Sequence, residues 1–409
     1  MGEKVMFGFP SREEALADFF KAWDVPDSAR TTELVPLDQA LGRVTARDLA
    51  SAVNLPVVRS SACDGIAVRS ADFADGLPDT SGWKRGEDYV RADTGDDFPD
   101  RFDAVVMIEK AAIQEDGSVV FDEDVKVEPG SSVRPCGSTI RQGDALMKAG
   151  LPIRATDLAA LAVGGIAMVP VRRKPRVAFI PTGSELVPAG VRPRRGQMID
   201  SNSLMVKALL ESYGAEPVIF PLVHDDERAL QEAFVEALAT TDFVVLNGGS
   251  AVGSEDFNVR MIEARGTVVH HYIAAVPGRP LMMAVADGKP VVDLPGPTLA
   301  AYYGTQWCLQ AVVARMLGVP AVKWPTVRAK LAVDVNGPVQ MANIARMNLV
   351  REENGTLTAW PINGKATSMG TVMSSNAQRV SPIGEKHIDA GAEIEVELLR
   401  PVEYVGTGR

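Results

Sequence analysis

Between residues 176 and 318 short apolar runs alternate with amphipathic segments, and no other feature narrows the fold as far. Val177–Ile180 reads as a compact strand. Asp200-Ser201 opens a helix carrying Leu204, Met205, Ala208 and Leu209, which Gly214 ends. Pro217–Val223 reads as the next strand, Glu227–Leu238 as the next helix and Phe243–Leu246 as the third strand. A further helix runs to Ala264 and closes at Gly266, and Val291–Leu294 leads through Pro295-Gly296 into a long helix ending at Leu317. Strands separated by helices imply right-handed βαβ crossovers, so the expected core is a parallel sheet in an α/β domain. In open sheets of that kind ligands bind beyond the carboxyl ends of the strands. Three loops fall at such ends: Thr182–Glu185, Asn247–Asp256 and Pro295–Thr298.

The rest of the chain has other rhythms. Ser11 with Glu14 has the spacing of a capping box, and Leu16, Phe19, Phe20 and Trp23 make one apolar stripe behind it, which predicts an N-terminal packing helix. From about 50 to 150 short apolar runs, Ala104–Ile108 and Ser118–Phe121, alternate with Gly, Pro and Asp clusters, as in a small β-rich unit. Thr156–Val163 reads as a helix with Gly164-Gly165 at its exit. After Trp324-Pro325, Val327–Val335 and Ile394–Leu399 alternate and Asn336-Gly337 is a hairpin signal, so 326–409 reads as a separate all-β domain.

At 409 residues the chain exceeds one ordinary core. Its net charge of −11 argues against nucleic acid or an anionic membrane surface as the main partner. Cys63, Cys136 and Cys308 are too scattered for a disulfide framework or a zinc pattern. Charged residues interrupt the first twenty positions and no uncharged apolar run reaches membrane-spanning length, so a cytoplasmic, reduced, soluble protein is expected.

The segment Phe243–Asp256 joins an apolar strand to the glycines Gly248, Gly249 and Gly253 and ends on a carboxylate. Glycines let backbone N–H groups approach an anion closely, and a carboxylate beside them can hold a divalent cation against a phosphate. The same run also suits an ordinary strand-to-helix turn. A nicotinamide dehydrogenase is the poorer reading, because Pro181-Thr182-Gly183 stands where a G-x-G-x-x-G turn would follow the first strand.

Several blocks in one order resemble the molybdopterin molybdenumtransferase family, relatives of the gephyrin E domain. They are Leu37–Val44, Ser61–Val68 around Asp64-Gly65, Thr94-Gly95 with Asp103–Val106, Thr182–Leu186, Asp200-Ser201-Asn202, Gly248-Gly249 with Gly253 and Asp256, and Pro277–Pro280. The resemblance covers nearly the whole chain. It implies an elongated linker and dimerisation domain (1–50 with 150–175), an inserted β-rich domain (51–149), a MogA-like molybdopterin-binding α/β domain (176–325) and a C-terminal small β-barrel domain (326–409).

It also implies a chemistry: molybdate is inserted into molybdopterin as adenylylated molybdopterin is hydrolysed, with Mg²⁺, in a cleft of a homodimer of L-shaped subunits. A molybdopterin adenylyltransferase and molybdoenzymes or their chaperones are the implied partners. Catalytic roles fall to Asp64, Asp225, Asp256 and Glu185, with Glu185 and Asp256 as metal ligands. Substrate contacts fall to Thr94, Arg134, Thr182, Gly183, Ser184, Gly248, Gly249, Gly253, Arg279, Pro295 and Ser368, with Thr94 and Arg134 reaching the cleft from the partner subunit. Structural roles stand beside these: helix-terminus carboxylates for Glu185 and Asp256, a helix N-cap for Asp225 and a turn for Asp64.

Several positions depart from the family pattern. Thr139 lies in the stretch where an acidic residue is usual, and Tyr272 and Val276 where lysines are usual. Pro297 falls in the turn that normally reads PGNP, and Asn247 and Ala251 replace serines. Fewer cations near 270–280 imply weak intrinsic molybdate affinity. The departures leave a second reading open, a paralogue that binds the pterin nucleotide or a partner enzyme without inserting metal.

Overall fold

The computed structural model describes residues 8–25, 30–224, 226–248, 255–362 and 373–401. Contacts group the chain into two units, Thr32–Arg172 and the remainder.

The larger unit contains the six-stranded sheet anticipated around 176–318. Its order is Glu216–Ile219, Arg176–Pro181, Phe243–Asn247, Lys289–Leu294, Met282–Ala286, Gly266–His270. The first four strands are parallel. Met282–Ala286 runs antiparallel to both its neighbours, so one strand of the six is reversed, which corrects the expectation of a parallel sheet. Val177 through Ile180 and Val244 through Leu246 are fully buried, as unbroken apolar runs in a sheet covered on both faces should be. Phe234, Leu230, Met261 and Ile262 pack with Ala178, Ile180, Val244 and Leu246. Removing the ring of Phe234, which is fully buried, costs about 3–5 kcal/mol.

The helices follow the sequence with instructive exceptions. Ser11 and Glu14 form the expected capping box of the helix Arg12–Ala22. The helix Glu227–Thr240 is capped by Asp226, whose side chain accepts from the Ala229 N–H at 3.0 Å. Asp225, read as that cap, lies outside the described residues. In the helix Asn202–Ser212 the buried residues are Asn202, Val206 and Leu210, so the inward stripe is rotated from the one expected and Leu204 is exposed. Gly266 does not close a helix. It opens a strand, where an added Cβ would lie 1.8 Å from the Val285 carbonyl oxygen. The strand Pro217–Val223 shortens to Glu216–Ile219. The long helix after Gly296 is interrupted by a π turn over Thr305–Leu309.

Beyond Trp324 five strands close a barrel: Ala342–Arg351, Leu357–Pro361, Thr326–Leu331, Glu393–Leu398 and Ala377–Val380, which pairs back to the first. Closure removes the exposed sheet edges. Asn336-Gly337 makes no hairpin here. Val335–Asn336 pairs with the distant His387–Ile388, and Gly337 donates to the Lys386 carbonyl at 3.1 Å.

The unit Thr32–Arg172 is built of small antiparallel sheets, as its punctuated sequence predicts. Gly65–Val68 lies between Val90–Ala92 and Ala104–Met107 over a core of Ile66, Val68, Phe73, Tyr89 and Phe121. Thr32–Pro36 pairs with Met168–Arg172, and the helix Ala155–Val163 shares their core through Leu161. No helix among the described residues is long and apolar enough to cross a membrane.

Candidate functional site

At the carboxyl end of the sheet the chain must turn sharply out of three adjacent parallel strands, and the residues there bind one another. After Pro181, Thr182 donates its N–H to the Asn247 carbonyl at 2.9 Å, and its hydroxyl reaches the same oxygen at 3.2 Å. Gly183 has φ +142° and Gly248 has φ +103°, conformations that favour glycine. Space requires it at Gly248 as well, because the nearest atom is backbone. A Cβ on Gly248 would lie 2.6 Å from the Thr182 carbonyl oxygen, and one on Gly183 would lie 2.8 Å from Oε2 of Glu185. The Glu185 carboxylate is therefore folded back over the turn while its residue stays exposed to solvent.

Asn247 ties the strand ends together. Its Nδ2 donates to the Leu294 and Pro295 carbonyls at 3.2 and 3.0 Å, and its Oδ1 accepts from Asn202 Nδ2 at 2.9 Å. Asn202 Nδ2 also donates to the Gly296 carbonyl at 2.8 Å, while its Oδ1 is buried without a hydrogen-bond partner. Ser201 and Thr298 join their hydroxyls at 3.1 Å. Pro297 supplies the N-cap position of the helix Thr298–Gly304 and has no side-chain acceptor to offer it.

Thr182, Gly183, Glu185, Gly248 and Pro295 are thus brought together. Arg279 stands on the segment after Gly278, whose Cα faces the Ala300 carbonyl; an added Cβ would sit 3.7 Å from it. Asp256 is the second residue of the helix Glu255–Glu263, and its side chain lies outside the description. Asp225, Gly249, Gly253 and Ser368 also lie outside the described residues. Ser184 is exposed on the same turn.

In the second unit Asp64 and Thr94 meet directly. Asp64 Oδ1 accepts the Thr94 N–H and the Thr94 hydroxyl, each at 2.8 Å. Those two bonds, the backbone one first, hold the Asp64 carboxyl below its ordinary pKa, with a smaller contribution from Arg91. Arg134 belongs to the same end of the unit, because Val133–Arg134 pairs with Ser60–Ser61 just before Asp64. Arg134 is exposed and forms no ion pair with the described residues.

Sequence reasoning missed two groups. Asn202 stands in the Asp200-Ser201-Asn202 block, and nothing in the sequence assigns its side chain a role. Arg346 had no local signal. It is buried, donates to Tyr303 Oη at 3.1 Å and Ser375 Oγ at 2.9 Å, and lies 4.8 Å from the Tyr302 ring centre. Burial raises the pKa of both tyrosines, against the pull of Arg346, so its partners stay neutral.

One other cluster among the described residues has metal-ligating types, Asp334, His387 and Asp389 in the barrel. All three are exposed, and His387 already lies 2.8 Å from Asn336 Oδ1 and 3.1 Å from Asp389 Oδ1.

The N–H groups of Thr182, Gly183 and Gly248 are spent on the carbonyls of Asn247, Val223 and Leu294, so the site offers amide side chains and a solvent-facing carboxylate at parallel strand ends, where open α/β sheets bind ligands. Known proteins agree. Residues 11–165 match the family model described as "MoeA N-terminal region (domain I and II)", and residues 178–315 match the one described as "Probable molybdopterin binding domain". The molybdopterin molybdenumtransferase of Haemophilus influenzae is 32% identical over 306 residues, 72% of this chain and 75% of that protein. That of Nostoc sp. is 31% identical over 400 residues, 91% of this chain and 90% of that protein. The solved structure of the molybdopterin biosynthesis MoeA protein from Pyrococcus horikosii superposes with a TM-score of 0.77 at 27% identity, covering 96% of this chain and all of that one. With two relatives above 30% identity and a whole-chain structural match, the chain belongs to the molybdopterin molybdenumtransferase family.

Proposed function

We propose that this chain is an enzyme of molybdenum cofactor biosynthesis that transfers molybdate into molybdopterin while hydrolysing adenylylated molybdopterin. Family membership supports the reaction class. The observation that carries the reading to the site is the convergence of Thr182, Gly183, Glu185 and Gly248 at adjacent strand ends, locked by Asn247.

The residues fit the parts of such a reaction. Gly183 and Gly248 let the two strand ends close on each other, which brings the Glu185 carboxylate over the turn. Glu185 exposes a carboxylate that suits a hard divalent cation. Glu185 with Asp256 would hold Mg²⁺, which when bound supplies charge neutralisation for a phosphoanhydride. Arg279 and Arg134 add fixed positive charge for phosphate or oxyanion. Asp64 stays ionised at neutral pH and is oriented by Thr94, so it can order a substrate hydroxyl, a water or a metal-bound water. Asn202 and Asn247 act through the loops they hold.

The active form is proposed to be a cytoplasmic homodimer that receives its substrate from a molybdopterin adenylyltransferase and delivers its product to molybdoenzymes or their chaperones. The test is complementation of a strain lacking its own insertase, read as nitrate reductase activity, beside AMP release from adenylylated molybdopterin in vitro. Restored activity with molybdate-stimulated AMP release is expected. AMP release or pterin binding without complementation would favour the non-inserting paralogue, and neither would overturn the reading.

A further inference from the structure

Between Glu185 and Asp200 the chain leaves the strand-end cluster and returns to it. Leu186–Val187 and Met198–Ile199 pair as short parallel strands. Their clamps are the Met198 N–H on the Glu185 carbonyl and the Asp200 N–H on the Val187 carbonyl, both at 2.8 Å. Asp200 in turn caps the helix that presents Asn202, accepting from the Ser203 N–H at 3.0 Å. Both feet of the loop therefore stand in the site.

The loop itself is doubly turned. The Val191 N–H donates to the Pro188 carbonyl at 3.2 Å, and the Gln197 N–H to the Arg194 carbonyl at 3.0 Å. Gln197 Oε1 accepts the Arg194 N–H at 2.9 Å. Gly190 and Gly196 take φ of +90° and +84°, which those turns require. Pro188 and Pro193 restrict the remaining freedom.

This constrained loop carries Arg192, Arg194 and Arg195, all exposed. None forms an ion pair or a side-chain hydrogen bond with the described residues. Many other arginines are engaged, among them Arg69 with Asp72 and Asp88, Arg154 with Asp157, Arg173 with Asp242 and Arg379 with Glu385, and no other stretch of four residues carries three unengaged ones. Three guanidiniums within four residues repel one another, and they do so on a chain of net charge −11. Such a concentration of unspent positive charge on a preorganised loop suits an anion.

We propose that the loop 188–197 is an anion-gathering subsite for the phosphoanhydride portion of a nucleotide-bearing substrate, with Arg192, Arg194 and Arg195 as its specificity-determining residues. It rests on the preceding reading of the reaction and adds the part of the substrate that is captured and the residues that capture it. Guanidiniums recognise phosphate oxygens through a planar two-donor fork, and exposed charges raise the local concentration of an oppositely charged ligand. The attraction is screened by salt, so its signature is ionic-strength dependence.

The test uses the full chain and ADP, which carries adenosine on a diphosphate. Calorimetry compares the wild type with R192Q/R194Q/R195Q and R192K/R194K/R195K at low and high salt. The glutamine variant is expected to bind ADP about tenfold more weakly at about 0.02 M salt, a gap narrowing to about twofold at about 0.5 M. The lysine variant should recover part of the loss, since it keeps the charge but not the fork. Equal ADP affinities in wild type and glutamine variant, or a wild type that does not bind ADP, overturns the proposal and leaves the loop to an acidic protein partner. A wild type that binds ADP through these arginines yet releases no AMP from adenylylated molybdopterin upholds the subsite and removes only the catalytic reading.

Discussion

One oxygen of Asp64 accepts both the backbone N–H and the hydroxyl of Thr94, each at 2.8 Å. The pair joins two blocks thirty positions apart in sequence, and both donors favour the ionised carboxylate. A depressed pKa means that Asp64 stays charged as pH falls, until the pH passes through its lowered value.

In Thr94→Val the N–H remains and the hydroxyl is lost, so the Asp64 pKa should rise toward its ordinary value near 3.8. If Asp64 serves the reaction ionised, the acid limb of the kcat/KM profile moves up in pH, while at neutral pH Asp64 stays ionised and a loss of about tenfold there would report only its lost positioning by the hydroxyl. An unmoved acid limb in a folded variant would remove Asp64 from the reaction. Thr94→Ser keeps the hydroxyl and should behave as wild type.

Asn202 and Asn247 are buried and share one hydrogen bond while each also holds a carbonyl of the Leu294–Gly296 turn. Asn247→Ala leaves these partners unsatisfied and should cost about 2–3 kcal/mol in urea unfolding. Asn202→Ala should cost about 1–2 kcal/mol, less because one of its own atoms already lacks a partner. The double variant should lose about 1 kcal/mol less than the sum, since the shared bond can be lost only once. Strict additivity would mean that the loops are held by something else.

How much of this could be read in advance depended on whether a local signal had a local cause. Val177–Ile180 and Phe243–Leu246 are unbroken apolar runs, and runs of that kind have few alternatives to buried strands. Ser11 and Glu14 form their capping box within four residues, and it was legible for that reason. The reversed strand also has a local cause, which the strand–helix alternation masks: Asp287-Gly288, at φ +47° and +74°, is a two-residue hairpin turn that sets Met282–Ala286 antiparallel to Lys289–Leu294. Asn336-Gly337 carries a strong hairpin signal that pairing with residues some fifty positions away overrides. In the site, the glycines and carboxylates at strand ends had a pattern. Asn202 did not, because its role is a tertiary bond to Asn247 that no spacing encodes. Asp225 and Asp226 are adjacent carboxylates, and only the bond to the Ala229 N–H identifies the cap.

Glu185 lies exposed over Gly183, a place where a carboxylate does little for stability. Glu185→Gln should therefore leave the thermal midpoint within about 1 °C of wild type, since exposed substitutions stay within roughly 0.5 kcal/mol. AMP release should nevertheless drop by about a hundredfold or more, and the Mg²⁺ concentration for half-maximal rate should rise, because a charged ligand has become neutral. Chelation of divalent cations in the wild type should reproduce the loss. AMP release that survives both treatments would remove the metal from the reaction.

Self-association can be tested at an apolar face of the smaller unit. Thr32–Pro36 pairs with Met168–Arg172 so that Pro36 is opposite Met168, and alternate residues of a strand share a face. Leu34 and Met168 are 60% and 48% exposed on that ribbon, while Val35, Val169 and Val171 on the other face are buried. The same unit also exposes Leu41 and Val57, at 59% and 70%. Leu34 and Met168 share one face of the ribbon, and a second copy of the chain is the proposed cover for that face. Light scattering should then give twice the chain mass of 43.7 kDa at micromolar concentration. Leu34→Asp with Met168→Asp should shift that mass toward one chain while leaving the unfolding midpoint of the α/β domain nearly unchanged, because neither side chain contributes to a core. A wild type that scatters as a single chain across that range refutes the dimer. A dimer unmoved by the double substitution places its interface on another face.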